Sequence, residues 1–264
     1  MDWSETRVTA EGAWLCCRMR PGPEPAMVFL HGLAGHLGEW GAAARHFDGR
    51  RRVVVFDQRG HGRSERRPKQ VSRAAFVADL TAVIRRFAPE GAVLIGQSLG
   101  GHTAMLMAAA HPDLVRALVL IEAGPARHPD GRDGIRQWLD SWPTPFPSRS
   151  AAAEWFGGTP WAEAWADGLE EHDDGWHPRF DNDLMIEALS ELAERDYWAE
   201  WDKVSCPTLV IRGESGSMPQ AESEEMIRRR PLTRLATISD AGHDLHLDQP
   251  AALHTILDVF LNDI

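Results

Sequence analysis

Gly96-Gln97-Ser98-Leu99-Gly100-Gly101 places a hydroxyl between two glycines at the point where the chain changes periodicity. Before it lies an apolar run, Ala92–Ile95; after it an apolar helical pattern, Leu99–Ala110. A strand-to-helix corner of the form G-x-S-x-G holds its serine in a strained conformation with the hydroxyl exposed. Side chains two positions to either side would collide, so both flanks are glycine. The hydroxyl then stands at a helix N-terminus, where the dipole favours developing negative charge. The backbone N–H of Leu99 faces the same point. The competing reading is a tight turn in which Ser98 only caps the helix.

A serine hydroxyl needs a base to become a nucleophile. His243, in Asp240-Ala241-Gly242-His243-Asp244, follows the last apolar run and precedes the last helical pattern, which puts it on a loop at a strand end. His246 and Asp248 are close by. A His-x-x-His pair with no further ligand in step is a poor metal signal, so neither a metal nor a cofactor is expected. An oxyanion would need a second donor besides Leu99. His31-Gly32-Leu33 ends another apolar run, and the Leu33 N–H is the natural candidate, with His31 bracing the loop.

These residues require elements to hold them. Continuous apolar runs at Ala26–Leu30, Arg52–Phe56, Ala92–Ile95, Ala117–Ile121 and Thr208–Arg212 suit strands buried on both faces. Ala13–Met19 reads as an early strand and Thr233–Ile238 as the last. Ser72–Phe87, Leu99–Ala110 and Ala251–Leu261 read as helices, with Pro250 at the first turn of the last. This alternation predicts a mostly parallel sheet covered on both faces. From Pro125 to about Lys203 no good strand is expected. That stretch holds Trp138, Trp142, Trp155, Trp161, Trp165, Trp176, Trp198 and Trp201 out of eleven tryptophans, punctuated by Pro143, Pro145, Pro147 and Pro160. It reads as a helical insertion of residues 125–203, a cap over a core of 1–124 and 204–264. Its Glu170-Glu171-His172-Asp173-Asp174 run is expected to be solvated.

Taken together, His31-Gly32, Phe56-Asp57-Gln58-Arg59-Gly60-His61-Gly62-Arg63-Ser64, the serine corner and Gly242-His243 resemble the α/β-hydrolase superfamily, in its order and over nearly the whole chain. The resemblance implies an eight-stranded, mostly parallel sheet, a helical cap after the sixth strand and a Ser–acid–His triad. It also implies that Asp57–Ser64 is a structural turn. In most relatives the acid is an Asp three residues past a Gly after the seventh strand. Here that position is Gly216, in Gly213-Glu214-Ser215-Gly216-Ser217-Met218, so the usual acid is missing. Glu122, at the end of Ala117–Ile121, resembles the arrangement of relatives that place the acid after the sixth strand. A glutamate at the end of a buried strand is otherwise hard to explain, because an unpaired buried charge is costly. Glu122 is therefore favoured over Glu214, with Asp244 a third option.

A serine, an imidazole and two N–H donors make acyl transfer to water the expected reaction, by way of an acyl-serine. A serine at position 98 argues against dehalogenase and epoxide-hydrolase chemistry, which needs a carboxylate nucleophile. Carboxylic ester or lactone hydrolysis leads. Thioester or carbon–carbon hydrolysis, a cofactor-free oxygenase and a non-catalytic receptor on the same fold are the alternatives. The indole-rich insertion points to an apolar or aromatic small-molecule substrate, with Trp142, Trp161 and Trp165 as candidate lining residues.

Composition narrows the partners. In 264 residues, Lys plus Arg total 28 and Asp plus Glu total 39, a formal charge of −11. So acidic a chain is a poor binder of nucleic acid or of anionic membranes. The basic runs Arg50–Arg52 and Arg228–Arg230 read as solvated faces. Three cysteines make no disulfide framework; Cys16 and Cys17 should point to opposite faces of one strand, as thiols of a reducing compartment. The opening Met1-Asp2-Trp3-Ser4-Glu5 has no basic stretch followed by an apolar core, so no signal peptide is expected. No run approaches the roughly 18 apolar residues that span a bilayer. A cytoplasmic protein is the expectation.

Overall fold

The computed structural model describes residues 3–129 and 131–264; the first two positions of the amino-terminal stretch lie outside it. Among the described residues ten strands form two sheets. They are β1 (Ser4–Ala10), β2 (Ala13–Arg20), β3 (Ala26–Leu30), β4 (Val53–Phe56), β5 (Ala92–Gln97), β6 (Val115–Ile121), β7 (Leu169–His172), β8 (Gly175–Pro178), β9 (Thr208–Gly213) and β10 (Arg234–Ile238). The main sheet has eight strands in the order β1-β2-β4-β3-β5-β6-β9-β10. β2 pairs antiparallel with both neighbours and every other pairing is parallel. The mostly parallel, eight-stranded expectation is met.

The core helices are α1 (Gly41–His46), α2 (Arg73–Phe87) and α3 (Leu99–Ala110), and the segment between β6 and β9 contributes α4 (Gly131–Asp140), α5 (Arg149–Trp155), α6 (Pro160–Asp167), α7 (Asn182–Ala188), α8 (Ser190–Glu194) and α9 (Trp198–Trp201). After β9 come α10 (Gln220–Arg229), α11 (Leu245–Asp248) and α12 (Pro250–Asn262). Strand alternation divides the apolar side chains between two layers. Met27 and Phe29 of β3 pack with Trp40, Phe47, Leu257 and Phe260 on one face. Val28 and Leu30 pack with Leu80, Ile84 and Met105 of α2 and α3 on the other. A strand that feeds both layers has no polar face, hence the unbroken apolar runs. Cys16 and Cys17 fall in opposite layers as the pleat requires, and burial pushes the Cys16 thiol up to about 11.

The Asp57–Ser64 turn is a hydrogen-bonded knot. Asp57 accepts from the N–H groups of Leu37 (2.7 Å) and Arg63 (2.8 Å), and Ser64 Oγ donates to the Asp57 carbonyl at 2.5 Å. Arg59 reaches Asp79 of α2 through two 2.7 Å bonds, both side chains fully buried.

Two expectations for the segment between β6 and β9 need correction. It is mainly helical, but β7 and β8 form an antiparallel hairpin where no strand was expected. With one buried residue in Leu169–His172 the strand has no apolar alternation to signal it. The pairing is held from outside: Phe146 exchanges two 2.9 Å backbone bonds with Trp176, and Glu170 pairs with Arg66. Glu170 is thus engaged rather than simply solvated. Among the basic runs, Arg230 is likewise packed over the Trp201 ring, 4.7 Å from its centroid.

Candidate active site

The corner between β5 and α3 turns at Ser98, whose φ of 49° and ψ of −120° lie where a residue with a side chain is strained. A Cβ at Gly96 would lie 2.5 Å from the Gly100 oxygen, and one at Gly100 would lie 2.4 Å from the His31 carbonyl. Only glycine lets the helix pass so close to β5 and to the end of β3. Leu99 opens α3, so its N–H has no acceptor within the helix. Leu33 lies in the turn closed by the Gly35 N–H on the Gly32 carbonyl at 3.3 Å, and among the described residues its own N–H has no protein acceptor.

That turn is braced by His31, which is fully buried. Its Nε2 accepts the Gln58 N–H at 3.0 Å, leaving Nδ1 to donate to the Gly32 carbonyl at 2.7 Å. Burial drives its pKa down to about 3, so the ring stays neutral and keeps one donor and one acceptor.

His243 sits between β10 and α11. Its loop is tied to the serine corner by Gln97, whose Nε2 donates to the His243 carbonyl at 3.1 Å and to Asp244 Oδ1 at 3.4 Å. Ser98 and His243 line two cavities in common, of about 360 Å³ and about 280 Å³. Among the described residues no hydrogen bond joins the Ser98 hydroxyl to the imidazole; in unliganded active sites that contact is often long and tightens with substrate.

Glu122 is the first residue beyond β6, and its φ of 51° turns the chain out of the sheet. Its side chain is fully buried. Oε1 accepts the Gly213 N–H at 2.8 Å; Oε2 accepts the Met218 N–H at 2.9 Å and the Ser217 hydroxyl at 3.3 Å, and lies 3.5 Å from His243 Nδ1. Burial would raise this carboxyl, but the imidazole and the two N–H donors outweigh it and hold the pKa below the ordinary value. Burial likewise depresses His243, while the Glu122 contact and the charges of Asp244 and Glu122 raise it, leaving a net rise.

The place of the missing Asp is accounted for in space. A Cβ at Gly216 would lie 2.1 Å from Glu122 Oε1, 2.3 Å from Cδ and 2.5 Å from Oε2. The carboxylate from β6 fills the volume that a side chain at 216 would occupy. Glu214 turns elsewhere, its Oε2 accepting the Asp240 N–H at 3.3 Å. Asp244, the third option, is engaged by Gln97 and by the Trp165 indole N–H at 3.3 Å.

The larger cavity runs past Ala123, His128, Arg132, Leu189, Met218 and Glu222; the smaller is walled by Leu33, Trp138, Trp161 and Trp165. Ile135 of α4 lines both. Of the three tryptophans singled out as candidate lining residues, Trp161 and Trp165 line the smaller cavity and Trp142 lines neither. It is buried at the centre of the aromatic cluster of the inserted segment, against Phe146, Phe156, Phe180 and Trp165. Trp138, not singled out from sequence, faces the cavity instead, because its place on α4 turns it toward Trp165, 5.3 Å away. Gln97 and Ser217 were also missed. Gln97 is the variable position of its motif, and the sole sequence signal for Ser217 is its place next to Gly216.

His246 and Asp248 hold the loop: His246 Nε2 meets Glu39 Oε2 at 3.3 Å and Asp248 accepts the Gly242 N–H at 2.9 Å. Among the described residues no group of three or more potential ligands could hold a metal ion, and no helix is long and apolar enough to cross a membrane.

Comparison with known proteins bears on the family and the fold. A family model described as the alpha/beta hydrolase fold matches residues 25–250. The chain is 26% identical over 231 residues to the 2-(acetamidomethylene)succinate hydrolase of Mesorhizobium japonicum, covering 84% of this chain and 82% of that one. It is 30% identical over 252 residues to an esterase of Mycobacterium tuberculosis, covering 89% and 82%. The crystal structure of E-2-(acetamidomethylene)succinate hydrolase superposes with a TM-score of 0.90 at 24% identity, over 99% of this chain and 100% of that one, a likeness of fold.

Proposed function

Because the chain belongs to the α/β-hydrolase family and is a hydrolase of that family, we propose that it cleaves carboxylic esters or lactones of apolar or aromatic small molecules through an acyl-serine. Ser98 Oγ attacks the carbonyl carbon and His243 Nε2 takes its proton. The tetrahedral oxyanion is held by the N–H groups of Leu33 and Leu99. Collapse expels the alkoxide, protonated by the imidazolium, and leaves the acyl group on Ser98. Water then attacks with His243 again as base, releasing the acid and the free serine. Glu122 keeps the imidazole in the tautomer whose Nε2 is free and stabilises its cation.

The observation that carries the reading is the Glu122 carboxylate lodged against Gly216, 3.5 Å from an imidazole that shares its cavity walls with Ser98. The two cavities would seat the acyl and leaving parts on either side of the serine, and the indoles of the smaller one favour an apolar or aromatic group. Residues 125–203 act as the cap over a core of 1–124 and 204–264. The relatives' names, an esterase and a hydrolase of 2-(acetamidomethylene)succinate, agree in reaction class.

A panel of aryl esters and lactones tests the proposal. Turnover is expected for the wild type and is abolished in Ser98→Ala. Tight binding of panel compounds with no turnover of any would instead favour a receptor.

A further inference from the structure

We propose that Ser217 is a positioning residue, the hydroxyl through which Glu122 acts on His243. This rests on the reading of Ser98, His243 and Glu122 given above.

The distances carry the argument. His243 Nδ1 lies 2.7 Å from Ser217 Oγ but 3.5 Å from Glu122 Oε2, and Ser217 Oγ lies 3.3 Å from that same carboxylate oxygen. A contact of 2.7 Å is a full hydrogen bond, whereas one of 3.5 Å is at the outer edge of the range. The hydroxyl is thus the imidazole's nearer partner and stands between it and the charge.

Donor and acceptor logic fixes the direction. Glu122, ionised and already accepting from Gly213 and Met218, can only accept. The Ser217 proton therefore points to Glu122, and the Ser217 oxygen is left to accept from His243 Nδ1–H. The imidazole proton is held on Nδ1 and the Nε2 lone pair is free for the Ser98 proton. When the imidazolium forms, its N–H bond to Ser217 strengthens and polarises the Ser217 hydroxyl toward the carboxylate. A chain of hydrogen bonds that polarise one another passes the negative charge inward. A relay is needed because the acid comes from the end of β6 while the loop carrying Ser217 follows β9. Glu122 fills the space beside Gly216, and the next side chain along that loop spans the remaining distance.

The test is steady-state turnover of an aryl ester by wild type, Ser217→Ala, Ser217→Thr, Glu122→Gln and Ser217→Ala/Glu122→Gln. Ser217 is solvent-exposed, so its truncation leaves no hole in the core. Ser217→Ala is expected to lower kcat roughly ten- to hundredfold, the range for one charge-assisted hydrogen bond, with KM little changed. Ser217→Thr, which keeps the hydroxyl, should restore most of the rate. Glu122→Gln should cost much less in the Ser217→Ala background than alone, because both changes cut one chain. A Ser217→Ala rate equal to wild type, or strictly additive losses, would overturn the relay and leave the direct Glu122–His243 contact. Absence of turnover in the wild type, or turnover that survives Ser98→Ala, would instead defeat the underlying reading.

Discussion

Glu122 and Gly216 occupy one volume between them, and this exchange gives the clearest prediction at the level of single residues. Glu122→Gln keeps the shape but removes the charge that, in the proposed mechanism, steadies the imidazolium. Its turnover should fall by roughly two to four orders of magnitude, while Glu214→Gln, whose carboxylate only accepts from the Asp240 backbone, should stay near wild type. The same substitution carries a sign in pH. The His243 pKa is raised above the ordinary imidazole value because the Glu122 contact and the nearby carboxylates outweigh its burial. In the proposed mechanism His243 acts as base only when neutral, so activity is expected to be lost as pH falls through that raised pKa. The acid limb of kcat/KM should therefore sit above the free imidazole value of about 6.5 and move to lower pH in Glu122→Gln. A limb that stays in place would mean that the carboxylate does not govern His243. Ser98 and Glu122 stand out in sequence for local reasons: a hydroxyl hemmed in by glycines, and a charge at the end of a buried strand. Ser217 does not, because a serine in a polar loop carries no local strain or burial, and its neighbours come from β6 and from the loop after β10.

Elements explain which side chains reach the cavity and which merely support it. β3, β5, β6 and β9 were legible because strands that serve two apolar layers carry long apolar runs, with polar residues such as Arg116, Gln97 and Arg212 confined to positions near their ends. The β7–β8 hairpin was not, because Leu169–His172 draws its stability from Phe146 and Arg66 rather than from its own pattern. The tryptophans divide in the same way. Their abundance was visible, but the face each presents depends on how α4, α5 and α6 pack. Trp142 is 6% exposed and Trp161 is half-buried at the cavity wall. Trp142→Ala should therefore cost about 3–5 kcal/mol, read as a lower Tm. Trp161→Leu should leave Tm nearly unchanged and raise KM with kcat largely kept, the mark of lost uniform binding. The opposite pattern, with KM tracking Trp142 and Tm tracking Trp161, would reverse the assignment of wall and scaffold.

Across the whole molecule, the site is assembled from segments far apart in the chain. The Leu33 turn follows β3, the Ser98 corner β5, Glu122 β6, Ser217 β9 and His243 β10, and the parallel sheet brings all of these strand ends to one edge. Gln97 and Trp165 tie the His243 loop to the serine corner and to the inserted segment. This convergence was foreseeable only through resemblance to a known order of motifs; spacing alone does not bring chain ends together. The claim that all of it serves is an activated hydroxyl at position 98. A fluorophosphonate reports on that directly, since the serine oxygen bonds to phosphorus as fluoride leaves. Intact-mass and peptide analysis should find one adduct per chain, on Ser98, formed rapidly in the wild type, slowly in His243→Ala and not at all in Ser98→Ala. A folded wild-type protein that takes up no label, or one labelled at another residue, would contradict the account.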